Sequence, residues 1–239
     1  MSAFICLGKK YDIHKLYKEA VKKLYTEIPA TLDDWDALSE HWNLIEPPSG
    51  GSEVVLVKLA ILARQSGLLS ILPYTLYQCC VIYSYAGFKR GWKKFSLPAQ
   101  DQIACLEGYR NGLDVQADTT YAWLGDHGDL SPSCLIQVAC KMAKQRRIVK
   151  GFNVRPALVG LDLWEDWMPS GLCDSCKEYG RRKHEAGRAE FWEKLPSLFD
   201  LPPWTELMKE REEMYELYHL APRCTLIVLP TESDISLPS

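Results

Sequence analysis

The sequence predicts an all-α fold: an irregular multi-helix bundle, stapled by a zinc ion or a cysteine cluster. Three observations predict it. Apolar residues recur at helical spacing in stretches separated by proline and glycine breaks. No strand-helix alternation appears, so no parallel sheet is implied. The 239 residues are 47% hydrophobic and include eight tryptophans and twelve tyrosines, enough to build a well-packed core.

Residues 8–28 read as a helix or helical pair. Leu16, Ala20 and Leu24 lie on one line, Ile13, Tyr17 and Val21 on the next, and lysines fill the other face. Pro29 closes the segment. Asp33, Asp34 and Asp36 around Trp35 read as acids of a short helix start, not as an acid/base pair. Glu46-Pro-Pro-Ser-Gly-Gly51 is the clearest internal break. Helix 53–66 is apolar almost all round, which marks it as central; Ser52 can cap it and Gly67 ends it. Pro73 fits the first turn of a helix over 72–84. A basic loop, 87–94, leads to a helix over 98–112. Ser131-Pro132 reads as cap and first residue of a helix running to about Arg147. Residues 151–172 look irregular. The last long helices span about 173–194 and 203–219. Three regions follow: a helical portion at 1–46, a larger helical domain at 47–220 and a flexible tail at 221–239.

The chemistry concentrates in cysteines. Cys173 and Cys176 form a C-x-x-C at a helix head, where free backbone N–H groups favour thiolate. A structural zinc needs four ligands. With a helix starting at Pro132, Cys134 and Cys140 lie about 240° apart around its axis and about 9 Å apart along it, so they cannot share an ion. The expected ligand set is therefore Cys173, Cys176, Cys134 and His127, with Asp126 or Asp129 as substitutes for the histidine. The competing reading is a set of thiols packing two helix starts together. A redox pair normally follows a strand, and Trp164 to Leu172 does not read as one. His184 lies two turns beyond Cys176, out of reach; with Gly180, Gly187 and Phe191 it forms a packing stripe. Glu178, Arg181, Arg182, Lys183, Glu185 and Arg188 read as a solvated face.

Several function classes are disfavoured. Phosphate-loop, dinucleotide, nucleophile-elbow and zinc-protease motifs do not occur. A net charge of -3 gives no global footprint for nucleic acid. The local basic run is Lys141, Lys144, Arg146, Arg147 and Lys150. No segment has the roughly 18 apolar residues of a membrane span, and no secretory signal is present. An intracellular site, cytoplasmic or nuclear, is expected, with nine cysteines as thiols or metal ligands.

Two stretches carry a resemblance. Leu7-Gly-Lys-Lys-Tyr11 through Leu16 to Ala20 is similar to the segment that ends a BTB/POZ domain. The run from Leu32-Asp-Asp-Trp35 through Leu59–Pro73, Ser131-Pro132 and Leu172–Cys176 to His184–Trp204 resembles the region C-terminal to BTB in uncharacterised proteins of mushroom-forming fungi. The BTB core itself would lie before residue 1. The resemblance implies a non-catalytic protein–protein interaction module with an unspecified protein partner. The alternative is a thiol- or zinc-dependent enzyme using Cys173 and Cys176.

Overall fold

The computed structural model describes residues 2–38, 52–86, 97–125, 129–152 and 157–219. The break at 46–51, the basic loop at 87–94, His127 and the tail beyond 220 lie outside the described residues. Helices α1 (Ser2–Lys10), α2 (His14–Glu27) and α3 (Leu32–Asp36) come first, then α4 (Ser52–Ser66) and α5 (Leu72–Ala86). They are followed by α6 (Ala99–Asp118), α7 (Gln137–Phe152), α8 (Trp164–Trp167), α9 (Asp174–Lys194) and α10 (Trp204–His219). Short 3-10 turns occupy Leu69–Ile71, Ala122–Leu124 and Pro196–Phe199. Among the described residues there is no strand, and the all-α class holds.

The side chains sort into two cores. The larger joins Ile5, Val21, Leu24, Leu56, Leu72 and Leu76 to Phe191, Leu195 and Trp204. Its centre is α4, which the sequence marks as apolar almost all round, and α5. Gly67 ends α4 at φ +75°, a conformation that a side chain would strain. Trp35 of α3 sits edge-on to Tyr74 and Tyr77, and a Thr31–Asp34 capping box starts its helix. Trp204 stacks on Trp192 at 5.2 Å and donates Nε1–H to the Trp192 carbonyl at 2.8 Å. Helix α10 is pinned by its own charges. Glu210 accepts from Tyr25 Oη at 2.5 Å and Ser70 Oγ at 2.8 Å, while buried Arg211 donates to the Ile28 carbonyl at 3.1 Å.

The smaller core gathers Tyr121, Trp123, Leu124, Trp164, Trp167 and Leu172 around Cys134, Cys140 and Cys176. The irregular segment 157–162 reaches it with its backbone groups paired. Gln116 donates to the Ala157 carbonyl and accepts from the Val159 N–H, Thr120 Oγ1 donates to the Gly160 carbonyl, and Tyr121 Oη donates to the Val159 carbonyl. Helix α9 runs through both cores: Cys176 and His184 face the smaller, Phe191 and Trp192 the larger.

Two sequence expectations are corrected. The helix after Ser131-Pro132 begins five residues later than Pro132, at Gln137. Residues 131–136 form a turn in which Cys134 N–H bonds the Ser131 carbonyl, and Leu135 is 96% exposed. Arg188, assigned to a solvated face, is buried. Its guanidinium donates from Nε and Nη2 to the Leu161 carbonyl, at 3.1 and 3.0 Å, and pairs with Asp36. On the neighbouring stripe, Gly187 lets α9 approach the end of α6: a Cβ there would stand 2.4 Å from the Thr119 carbonyl oxygen.

Candidate metal centre

The C-x-x-C opens α9. Cys173 is its N-cap, with extended backbone (φ -70°, ψ 161°), and its carbonyl accepts the Lys177 N–H at 2.9 Å. That geometry sets Cys173 just outside the first turn and Cys176 inside it, with both sulfurs on one side. Cys140 lies in the first turn of α7, its N–H bonded to the Ile136 carbonyl at 3.1 Å. Cys134 lies in the turn before α7. Its separation from Cys140 is therefore set by a turn and not by a helical rise.

The four sulfurs converge. Those of Cys134, Cys140, Cys173 and Cys176 all lie within 4.8 Å of one another. The Cys173 and Cys134 sulfurs are 3.8 Å apart. Four thiolates at about 2.3 Å from a zinc ion stand about 3.8 Å from each other in a tetrahedron. A disulfide, in contrast, requires about 2.05 Å, and the cysteines of the described residues are free thiols. The group can hold a metal ion.

The expectation that Cys134 and Cys140 cannot share an ion rested on a helix starting at Pro132. Once that start moves to Gln137, the exclusion falls and Cys140 joins the group. Cys134, Cys173 and Cys176 are brought together, His127 and Asp126 lie outside the described residues, and Asp129 is exposed and outside the group. The overlooked signal was the spacing itself: a C-x5-C ahead of a C-x2-C.

Local electrostatics differ from sulfur to sulfur. Backbone hydrogen bonding from Cys176 favours thiolate at Cys173 and lowers its pKa. Burial pushes Cys176 up to about 12, against a hydrogen bond from the Ser131 backbone. Burial also raises Cys140, although the Cys173 N–H donates to its sulfur at 3.4 Å. Lys144, one turn beyond Cys140 and 6% exposed, is lowered by burial, while Cys176 and Asp129 act in the opposite sense. A zinc ion with four thiolates carries two negative charges, and a neighbouring ammonium offsets part of them.

His184 takes no part in this group. Its Nδ1 accepts from Trp123 Nε1 at 3.4 Å, so Nε2 carries the proton and donates to the Asp162 carbonyl at 2.9 Å. Tyr121, Trp123 and Trp164 surround the ring edge-on, and burial lowers its pKa. It is a neutral packing histidine. Among the described residues no helix is long and apolar enough to cross a membrane.

No protein-family model, curated protein or solved structure matches the chain.

Proposed function

We propose that the chain is a non-catalytic protein–protein interaction module whose smaller core is closed by a structural zinc ion. The observation that carries the metal half is the convergence of four cysteine sulfurs from three separate segments. Thiolate ligands select soft or borderline ions, and a tetrahedral all-sulfur set is characteristic of zinc or an iron–sulfur centre. Four protein ligands leave no open position for an activated water, which favours a structural role over the zinc-enzyme alternative. The ligands would be Cys134, Cys140, Cys173 and Cys176. The ion would tie the turn at 131–136 and the heads of α7 and α9 into one unit, in place of the larger apolar interface those short segments lack. The BTB-like stretches add the expectation of a protein partner and an intracellular setting.

The test is elemental analysis of protein purified under reducing conditions, followed by chelation. Near-stoichiometric zinc, with four thiols unreactive until chelator is added, is the expected result. Chelation should also change the near-ultraviolet circular dichroism of Trp123, Trp164 and Trp167, which share the core with the sulfurs. Metal-free protein in which Cys173 and Cys176 oxidise readily to a disulfide would overturn the structural-zinc reading in favour of thiol chemistry.

A further inference from the structure

The geometry points to a docking face on α7 for an acidic amphipathic helix of a protein partner. This inference rests on the interaction-module reading above and names the class of partner.

Helix α7 has two different faces. At 100° per residue, Cys140, Ala143 and Arg147 share one side, and Cys140 and Ala143 are buried there at 0% and 1% exposure. Arg147 stays on that side, stacked on Trp167 at 4.1 Å and donating to the Trp167 carbonyl at 3.1 Å. On the opposite side, Val138, Met142 and Val149 fall within about 40° of arc. They are 74%, 51% and 58% exposed, and Leu135 in the preceding turn is 96% exposed. A shallow groove of about 330 Å³ runs along this side, lined by Met142, Gln145, Arg146, Val149 and Lys150. Val138 and Met142, with Val149 seven residues further and Gln145 between them, make an apolar seam of the kind that receives the apolar stripe of another helix.

Charge decides what covers the seam. The helix contains no aspartate or glutamate. Lys141 stands on one flank of the seam, Arg146 and Lys150 on the other, and all three are exposed. A second copy of α7 would bring like charges together on both flanks, which is unfavourable. Duplex nucleic acid would meet phosphates with an apolar seam between the cations. Moreover, two cations of the basic run are turned away from this face: Lys144 is buried and Arg147 is held on Trp167. A helix with leucine-type residues on one face and glutamates beside them satisfies both the seam and its flanks.

The metal group anchors this face from behind. Cys140 lies on the buried side of the first turn of α7, opposite Val138 and Met142. Whatever holds the four sulfurs together also fixes the start of the docking helix.

The experiment uses the full chain and a fluorescent synthetic peptide of about 18 residues, five helical turns, with a leucine seam flanked by glutamates. Controls are the same peptide with lysine flanks, phosphatidylcholine–phosphatidylserine vesicles and a short DNA duplex. Zinc content is measured in every sample. The expected result is saturable binding of the glutamate peptide that weakens with salt, and at least about tenfold weaker binding of the lysine peptide. The triple variant V138S/M142S/V149S should lose about tenfold or more in affinity while keeping the wild-type zinc content and circular dichroism. The variant K141E/R146E/K150E should reverse the peptide preference. Equal binding of both peptides, no effect of the triple variant, or binding only to vesicles or DNA would overturn the inference. Zinc-loaded protein that ignores the peptide refutes the docking face alone. Zinc-free protein that binds it with the predicted preference refutes the metal reading alone.

Discussion

Replacing Arg188 by alanine should be among the most destabilising single changes in α9, and the structure says why. The side chain is 6% exposed and fills the junction of α3, α9 and the 157–162 segment. Its loss removes both donors from the Leu161 carbonyl, whose residue is 1% exposed. A buried carbonyl stripped of its donors costs about 1–3 kcal/mol. Lost packing of the long stem adds about 1–2 kcal/mol. The ion pair with Asp36 adds less, because the Asp36 side chain is 35% exposed and stays partly hydrated. Screening at that exposure limits the pair to about 1 kcal/mol or less. The total, about 2–6 kcal/mol, corresponds to a fall in Tm on the order of 10 °C for a chain of this size. Thermal and denaturant unfolding of metal-loaded wild type, Arg188→Ala and Asp36→Asn would measure it. Asp36→Asn should cost about 1 kcal/mol or less. If the two variants are equally destabilised, the ion pair dominates and the reasoning from the Leu161 carbonyl is wrong. A cost for Arg188→Ala below about 1 kcal/mol would refute the burial argument as a whole.

Three further outcomes follow from other contacts. Gly187→Ala should destabilise by about 1–3 kcal/mol, despite the better helix propensity of alanine, because its Cβ would meet the Thr119 carbonyl at 2.4 Å; a stabilised variant in denaturant titration would refute this. Tyr25→Phe should lower stability by about 1.5–3 kcal/mol, since the hydroxyl donates to the Glu210 carboxylate; an unchanged midpoint would show the bond to be incidental. His184 is held neutral by burial, so its native pKa lies below the unfolded value of about 6.5. The unfolded chain then binds the extra proton first. The contribution of this group is complete above about pH 6.5 and is lost as pH falls toward and through the depressed native pKa. Unfolding curves collected from pH 7.5 downward should fall off less steeply for His184→Gln than for wild type. Identical slopes in the two proteins would contradict the assignment.

The helical class and most elements were legible because periodicity and breaks agree there. Leu72–Ala86 combines a first-turn proline with an apolar helical pattern, and Asp174–Lys194 carries a proline-free run of 21 residues with apolar and small residues at helical spacing. The stripe Gly180, His184, Gly187 and Phe191 was readable for the same reason, and the packing role of His184 with it. Two kinds of information were not local. Ser131-Pro132 carries a good helix-start signal, yet Cys134 is drawn to the three other sulfurs and the helix begins at Gln137. Tertiary convergence overrides a cap preference of about 1 kcal/mol. Arg188 sits among acids and bases that resemble a solvated face, and its partner Asp36 is 152 residues away. No pattern within one helix encodes a contact of that range. The misplaced helix start also hid Cys140: a helix from Pro132 sets it apart from Cys134, and only the later start at Gln137 lets the two sulfurs meet.

The most direct test of the account compares metal content in wild type, Cys140→Ser and His127→Ala, purified in parallel under reducing conditions. With Cys134, Cys140, Cys173 and Cys176 as the ligands, wild type and His127→Ala should each carry about one equivalent of zinc. Cys140→Ser should lose most of it, and its remaining three cysteines should become open to alkylation. Zinc that survives Cys140→Ser and disappears in His127→Ala would contradict the four-sulfur centre. So would wild-type protein that holds no metal and whose four thiols react freely.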